Sequence, residues 1–598
     1  MCGIYGILST EMDLLNQPSN LELISKSLIH RGPDQNGFVV FPELSMGTRR
    51  LAIISANSNE QPVHNEDSQV WAVMNGEIYN YKELRTDLSN RHQLAQEGDV
   101  EVVVHLYEEL GECFAASLEG MFAIALWDNR KKKLILARDR IGEKPLYTWQ
   151  DGKNFIFASE LQSILKIPHI HADLDIDSMI HFINYGYVPG PSTIIKNISK
   201  LQPAYFRVID SSLISYSKPY WKIPEPLSDS GLNEKGWVDL LDNSLRTACL
   251  RQYQAADQSP AVFLSGGLDS SLVTAYLSES GYQLNAFTIS YPDDSNTADS
   301  FYATQLANYF GIHQTQVMLT DQHFVNKFSE MISYIDEPCA DPSSLPIYLL
   351  SSVVSKDTRT VLTGGGADEL FAGYPEHLLA ADDYRHSLHP DFVLNPLFFQ
   401  TSLLSKSLTR NLYTPQIQAL FNVDAHPAWS PVWSEVPPLG VDPLWYILST
   451  DLTARLPDLR LSFGDRMTMA HSIEARSPFL DVKVVETAMR MPSHLKVDAN
   501  GGKRPLRLLA KQHLPQALIS RPKSGLRNPM FDKNFERVIP KIWDSLKNNL
   551  PDEFLGLFAP GIIEQVQINA LENTLWQPLQ LFWRMIILAA WLNKVLCN

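Results

Sequence analysis

The sequence predicts two joined domains: a strand-rich α+β unit, then an α/β unit built on a parallel sheet and ending in a largely helical part. Three observations carry that reading. The chain has 598 residues, more than one hydrophobic core organises. Up to about residue 165, short apolar runs are broken by Gly, Pro and Asn/Asp, as in strands joined by turns. Beyond about residue 232, strand-like apolar runs alternate with helical segments, as in a parallel sheet with helices on its faces.

In the first part, Gln69–Met74, Met121–Trp127, Leu134–Ala137 and Phe155–Ala158 are the clearest strands. Apolar residues at helical spacing make Val100–Glu109 the clearest helix. The polar stretch from Ile209 to Leu232, containing Ser and Pro, is the best linker, dividing the chain into 1–208, 209–232 and 233–598. In the second part, Ala261–Leu264 reads as a strand with a helix from about Asp269. Ala286–Ser290 is followed by a helix near Ser300–Phe310, and Thr360–Leu362 by a turn. From about residue 440 the pattern is mainly helical, and residues 375–440 carry no motif. The most apolar stretch, Leu579–Leu592, is interrupted by Arg584 and is too short to span a bilayer, which predicts a buried C-terminal helix.

Composition narrows the class. With 44% hydrophobic and 20% charged residues the chain falls among soluble globular proteins. A net charge of -17 argues against a nucleic-acid partner, which needs a basic footprint. No charged-then-apolar leader opens the sequence, so neither secretion nor a membrane partner is expected. The cysteines (2, 113, 249, 339 and 598) are scattered, odd in number and lack metal-ligand spacing. That suits a reducing, cytoplasmic setting and leaves Cys2 free as a thiol.

Cys2 follows the initiator methionine directly. Removal of Met1 would place a thiol and a free α-amine on one residue. The thiolate is the nucleophile, and an α-amine, with a reference pKa of about 7.7–8.0, can take its proton. This is a base-assisted nucleophile in its most compact form. The plain alternative is an ordinary residue at a frayed end.

Ala261-Val262-Phe263-Leu264-Ser265-Gly266-Gly267-Leu268-Asp269-Ser270-Ser271 reads as a strand, a Ser/Gly turn and a helix start. The glycines let backbone approach a ligand closely, and the helix N-terminus offers unpaired N–H groups to an anion. Ser265, Ser270 and Ser271 add hydroxyl donors, and Asp269 suits Mg²⁺, which takes carboxylates together with phosphate oxygens. The alternative is a tight turn capped by Asp269 or Ser270. The full pattern is not a Walker A loop. It resembles the pyrophosphate loop of the N-type ATP pyrophosphatases, which cleave ATP to AMP and pyrophosphate and activate a carboxyl as an acyl-adenylate.

Cys2-Gly3-Ile4 together with Ser265–Ser271 resemble glutamine-dependent asparagine synthetases of the B type, in the family's order and over nearly the whole chain. The resemblance implies an αββα N-terminal-nucleophile amidotransferase domain ahead of an adenine-nucleotide α-hydrolase-like synthetase domain. Arg31-Gly32-Pro33-Asp34 matches the family's RGPD motif. By the resemblance, Arg50 holds the glutamine α-carboxylate, a task that suits a planar guanidinium. Asn75 and Gly76 of Asn75-Gly76-Glu77-Ile78-Tyr79-Asn80 form an oxyanion hole, Glu77 contacts glutamine, and Asp99 pairs with its α-amine. The tripeptide before the last reads Glu97-Gly98-Asp99 where the family has G-S-D. Arg138–Tyr147 matches a motif whose charges are expected at the domain interface.

In the second domain, Asp336-Glu337-Pro338, Asp341-Pro342-Ser343, Leu362–Tyr374, Asp465-Arg466, Glu474–Asp481 and Arg521–Gly525 match family segments. The resemblance puts Leu264, Ser265, Gly266, Gly267, Ser270, Ser271, Thr288 and Gly364 at the nucleotide. It makes Asp269 and Asp368 the Mg²⁺ carboxylates, and Lys503 the charge that neutralises the α-phosphate and pyrophosphate. Among the departures, Ser477 replaces valine, Leu526 replaces Phe, and Gly365 replaces an acid. Three readings follow: a nearby acid such as Glu337 or Glu369 takes the role of the residue missing at 365, the acceptor is not aspartate, or the synthetase is slow.

The implied reaction is hydrolysis of glutamine at Cys2 and delivery of ammonia to a carboxylate activated by ATP, aspartate by default. The expected partners are glutamine, ATP with Mg²⁺ and the carboxylate acceptor; a homodimer is compatible with the reading. Three alternatives stay open: the same chemistry on another biosynthetic carboxylate; a ring-closing enzyme resembling β-lactam synthetases or lasso-peptide cyclases; and a non-catalytic regulator on a decayed synthetase scaffold, which the complete pyrophosphate-loop, Asp368 and Lys503 motifs oppose. The intact Cys2, Arg50, Asn75 and Asp99 set argues against the second.

Overall fold

The computed structural model describes residues 2–11, 18–54, 60–227, 231–292, 294, 299–386, 411–420, 440–519, 533–572 and 576–596. Strands β1 (Cys2–Ser9), β2 (Gln35–Val40), β3 (Leu44–Arg50), β4 (Val63–His64), β5 (Val70–Ile78), β6 (Gly120–Asp128), β7 (Lys133–Arg138), β8 (Tyr147–Gln150), β9 (Asn154–Ala158), β10 (Ile198–Lys200), β11 (Tyr205–Asp210) and β12 (Ser215–Pro219) make two antiparallel sheets. Their orders are β10-β8-β9-β1-β3-β2 and β12-β11-β7-β6-β5-β4.

Alternation of side chains across each strand decides what lies between the sheets. Ile4 and Leu8 of β1, Leu44 and Met46 of β3, Val73 of β5 and Trp127 of β6 pack there in one cluster. By the same parity Cys2, Arg50, Asn75 and Glu77 face that gap at one end. Outward-facing Ala72, Met74 and Ile78 pack on helices Tyr81–Leu88 and Glu101–Leu110. Tyr5 and Ile7 pack outward on helices Pro18–Ser27 and Ile176–Tyr185. The result is the αββα sandwich that the resemblance implies.

The connecting segment is shorter than the sequence suggests. Residues from Ile209 to Pro219, read as the start of a linker, pair as the β11–β12 hairpin at the edge of the second sheet. Ser and Pro in Ser215–Pro219 mark an edge strand, where a missing N–H costs no ladder bond. The domain-spanning stretch therefore begins near Tyr220 rather than at 209.

In the second domain, β13 (Ala261–Phe263), β14 (Asn285–Ser290), β15 (His313–Met318), β16 (Thr360–Leu362) and β17 (Glu474–Arg476) form a parallel sheet ordered β15-β14-β13-β16-β17. The chain winds outward from β13 through β14 to β15, then returns to β16 on the other side. That reversal between β13 and β16 is a topological switch point, the place where open α/β sheets bind ligands beyond their strands' carboxyl ends.

The C-terminal helix is longer than the apolar run suggested. It spans Trp576–Leu596, and Gln577–Leu596 is long and apolar enough by length and composition to cross a membrane. In this fold it is a core helix, with 72% of its most apolar stretch buried. Arg584 does not interrupt it but anchors it, donating to the carbonyls of Ile183 (3.1 Å) and Asn184 (2.5 Å) in the first domain. Arg521–Gly525 and Leu526 lie outside the described residues.

Buried charges join the domains. Arg31 donates to both carboxylate oxygens of Asp465 (2.8 and 3.2 Å) and to Glu160 (3.1 Å). Arg466 pairs with Asp336 (3.0 Å), whose oxygens also accept from the backbone of Leu161 (2.7 Å) and Gln162 (2.8 Å). The Arg138–Tyr147 motif contributes less than expected. Asp139 accepts from the backbone of Gly142, Glu143 and Lys144, and Arg138 from its side donates to the carbonyls of Lys144, Gly142 and Leu201. Lys144, 3.9 Å from Asp465, carries the motif's charge into this network.

Burial opposes the charge on Asp465, but Arg31, Lys144 and Arg466 hold its carboxyl below the usual range. Stability from this group is present above the ordinary carboxylate pKa and is lost as pH falls through the lowered value. Asp465→Ala, which leaves Arg31 buried without its main partner, is expected to cost about 3–5 kcal/mol in denaturant unfolding. Lys483→Ala, which removes an exposed pair with Glu119 (3.0 Å), should change the midpoint by under about 1 kcal/mol. Equal effects would remove the buried network from its structural role.

Candidate active sites

The first site opens between the two sheets of the sandwich. Cys2 and Arg50 are direct register partners on β1 and β3. The Cys2 nitrogen, which becomes the α-amine once Met1 is removed, donates to Asn75 Oδ1 at 3.0 Å. That contact turns Asn75 Nδ2 away as a buried donor with no hydrogen-bond partner. Gly76 sits in β5 at φ +143°, and a Cβ there would lie 2.0 Å from the Met121 carbonyl oxygen, so only glycine fits. Arg50 is buried and oriented by Gln35 Oε1 (2.8 Å) and the Ile54 carbonyl (3.1 Å). Asp99, also buried, accepts from the Ile78 N–H at 2.9 Å. The departures at Glu97 and Gly98 leave it beside the Asn75–Ile78 segment.

Burial is the chief influence on both titrating groups here. It raises the Cys2 thiol, opposed by a backbone hydrogen bond from Leu51 and by Arg50. A buried thiol held neutral needs a base to become a nucleophile. Burial, followed by Glu474 and Asp99, pushes the Glu77 carboxyl well above the usual range. Glu77 Oε2 and Arg476 Nη2 are buried without hydrogen-bond partners, and Arg476 stands 3.6 Å from Glu77 Oε1. Unmatched buried donors and acceptors are the mark of a pocket that takes a polar ligand.

The second site lies at the switch point. Gly266, at φ +72°, turns the chain after β13 where a Cβ would meet the Asp299 carbonyl oxygen at 2.4 Å. Helix Leu268–Glu279 starts at once, with Asp269 in its first turn. Ser265 and Ser270 hydroxyls lie 3.1 Å apart, and the Gly267 N–H donates to Ser265 Oγ (3.2 Å). Ser271 is buried at the same helix start, and Thr288 Oγ1 donates to the Leu264 carbonyl (2.7 Å). Gly364 packs so closely on this turn that a Cβ would meet the Ser270 nitrogen at 2.7 Å.

Lys503 joins the two strands' loops. Its Nζ is 2.6 Å from Asp269 and 2.6 Å from Asp368. Burial would lower its pKa, but the two carboxylates outweigh that and raise it. Lys503 itself adopts a left-handed conformation at φ 59°, strain of the kind found at functional positions. Two hard carboxylate oxygens converging on one cation fit Mg²⁺, which would bind there with phosphate oxygens and neutralise their charge.

Gly365 is exposed beside these groups. A Cβ at 365 would lie 3.1 Å from Ser477 Oγ and 3.4 Å from Thr363 Oγ1, and those two hydroxyls are themselves 3.1 Å apart. A hydroxyl pair thus stands next to the position where the resemblance has a carboxylate. Neither acid considered as a replacement is free of other work. Glu337 sits in the domain interface, accepting from the Ile194 N–H (2.7 Å) and pairing with Lys200 (2.7 Å). Glu369 accepts from the Tyr374 hydroxyl (2.9 Å) and is pushed up to about 7 by burial, Asp451 and Asp368.

Arg476 lies within the Glu474–Asp481 segment, and nothing local marks it for a role. It pairs with Leu362 across β16–β17, and its carbonyl accepts from the Thr363 N–H (2.9 Å). Its guanidinium, fixed by Glu474 (2.6 Å), reaches Glu77 of the first site.

Residues 240–593 match the asparagine synthase family, and residues 1–221 match the glutamine amidotransferase domain. Glutamine-hydrolyzing asparagine synthetase 1 of Bacillus subtilis is 26% identical over 570 residues, covering 89% of this chain and 87% of its own. A putative asparagine synthetase of Mycobacterium bovis is 28% identical over 590 residues, covering 89% and 88%. The putative asparagine synthetase 2 of Methanocaldococcus jannaschii is 30% identical over 403 residues, covering 63% of this chain and 76% of its own. Likeness over 89% of the chain and two matched domains agree: the chain belongs to the asparagine synthase family, with a glutamine amidotransferase domain ahead of the synthase domain.

Proposed function

We propose that the protein converts aspartate to asparagine, using glutamine as the nitrogen source and ATP to activate the carboxylate. The observation that carries this reading is Arg476, one residue whose backbone holds the nucleotide-side loop and whose guanidinium faces the glutamine-side Glu77. A chain with two unrelated pockets has no need of such a link; one that passes an intermediate between them does.

In the first pocket the α-amine of processed Cys2 takes the thiol proton, and sulfur attacks the side-chain amide carbon of glutamine. Asn75 Nδ2 and the Gly76 N–H stabilise the oxyanion, a contribution of about 2.7–4 kcal/mol per donor in comparable sites. Arg50 and Asp99 hold the α-carboxylate and α-amine. The C–N bond breaks, the proton returns to the leaving nitrogen as ammonia, and water cleaves the thioester to glutamate. In the second pocket the Ser265–Ser271 turn, Thr288 and Gly364 hold ATP. Asp269 and Asp368 would hold Mg²⁺, which would supply charge neutralisation on the phosphates. An aspartate oxygen attacks the α-phosphorus, Lys503 neutralises the departing pyrophosphate, and ammonia then displaces AMP from the acyl carbon. The Thr363 and Ser477 hydroxyls, open at Gly365, are placed to bind the acceptor.

Cys2→Ala is expected to abolish asparagine formation from glutamine while sparing formation from ammonium salts; equal loss of both would break the two-pocket scheme. Asp269→Asn and Asp368→Asn should each stop aspartate-dependent AMP release, and normal release in either would remove that residue from the metal and nucleotide assignment. With glutamine, MgATP and aspartate, glutamate, AMP and asparagine should rise together. Glutamate and AMP without asparagine would mean that the pocket at Gly365 takes another carboxylate.

A further inference from the structure

Outside both pockets, four side chains on the first domain bring metal-ligand atoms together. Glu66 lies in the turn between β4 and β5, and His92 follows helix Tyr81–Leu88. His105 and Glu108 stand three residues apart on helix Glu101–Leu110, which puts them on one face. One donor atom from each lies within 4.8 Å of all the others.

The spacing is informative. His92 Nδ1 is 3.5 Å from Glu66 Oε1 and 3.8 Å from Glu108 Oε2. His105 Nδ1 is 3.7 Å from Glu66 Oε2 and 3.6 Å from Glu108 Oε2. Protonated imidazoles paired with carboxylates would close to about 2.7–2.9 Å. Four ligands around one tetrahedral ion at roughly 2.0–2.2 Å instead stand about 3.3–3.6 Å from one another. The observed separations sit near the second geometry.

The polar balance points the same way. His105 is wholly buried, and neither of its ring nitrogens has a hydrogen-bond partner. Glu108 Oε2 is a buried atom with no hydrogen-bond partner either. Unmatched buried groups are costly, and a shared cation would take up His105 Nδ1 and Glu108 Oε2 at once. Outer contacts orient the donors inward. His92 Nε2 faces Glu109 Oε1 at 3.2 Å, which leaves Nδ1 for the centre. Glu108 Oε1 accepts from Asn65 Nδ2 (2.7 Å), which leaves Oε2 for the centre, while Glu66 Oε1, the oxygen facing His92, also accepts from the Gln93 N–H (2.8 Å) and is fixed by it. A ligating histidine held by a carboxylate through its other nitrogen is the usual outer arrangement of metal sites.

We propose that Glu66, His92, His105 and Glu108 form a structural site for a divalent transition metal, zinc by its donor set. Two imidazoles exclude Mg²⁺ and Ca²⁺, which take oxygen ligands, and two carboxylates balance the charge of the ion. The ion ties the β4–β5 turn, the segment around His92 and helix Glu101–Leu110 into one unit. That segment leads to Asp99, and the helix packs on β5, which carries Asn75 and Glu77. The metal would therefore brace the glutamine pocket from behind without entering its chemistry.

The test is metal content and thermal stability of the intact chain purified from zinc-supplemented culture. The expectation is about one zinc per chain, a lower thermal midpoint after chelation, and recovery when zinc chloride is added. Glu66→Gln, an exposed change, should bind zinc at least tenfold more weakly and lose the zinc-dependent shift while its metal-free midpoint stays put. His105→Ala should bind none. Zinc-free protein whose midpoint does not respond to added zinc overturns the proposal. So does full zinc content in both Glu66→Gln and His92→Ala, which would place the ion elsewhere.

Discussion

Arg31 and Asp465 are 434 residues apart in the sequence and form a two-pronged ion pair shut off from water. The architecture depends on this pair and its neighbours. A guanidinium removed from solvent is tolerable only where carboxylates and carbonyls replace its hydration. Asp465 and Glu160 do so for Arg31, and Asp336 does so for Arg466, with the Leu161 and Gln162 N–H groups completing Asp336. Each partner comes from a different segment, so the charges are satisfied only when the two domains sit in one relative position. Hydrophobic packing alone would allow sliding; the paired charges fix register.

That fixed register gives β17 its importance. As the last strand of the parallel sheet it contributes a short Glu474–Arg476 ladder to β16. Because the domains are locked, the Arg476 side chain projects past its own sheet to the carboxyl of Glu77. The second domain thereby supplies part of the wall of the first domain's pocket. The helix Trp576–Leu596 serves a parallel purpose on the other side, where Arg584 and Trp583 reach carbonyls of Asn184 and Ala340. A helix apolar on nearly every side is covered from both domains, which is why its length does not make it a membrane segment in this fold.

Local chemistry was legible where a few consecutive residues contain the whole device. The Ser265–Ser271 turn carries its glycines, hydroxyls and helix start together, and the fold leaves them as read. The strand read as Gln69–Met74 runs on to Ile78, which puts Asn75 and Glu77 inside it rather than in the turn that Asn-Gly-Glu suggests. Boundaries were less legible. The β11–β12 hairpin looks like a linker because edge strands are short and polar, and only its pairing to β7 reveals it as sheet. Arg584 looked like an interruption because a charge in an apolar helix is costly until its carbonyl partners are known. The Glu66, His92, His105 and Glu108 cluster escaped notice because its members come from a turn, a loop and a helix, with no compact ligand spacing.

The sequence by itself determined the two-domain order, a Ser/Gly turn between a strand and a helix start at Ser265–Ser271, and the motifs that carry the family resemblance. These depend on residue type and short-range spacing, which a linear text preserves. The tertiary structure decided which charges meet: Lys503 between Asp269 and Asp368, Arg31 on Asp465, Arg476 at Glu77, and two hydroxyls beside Gly365. Those meetings join residues tens to hundreds of positions apart. Coulombic and hydrogen-bond energies depend on separation in space and on exclusion of water, and neither is written in the order of the residues.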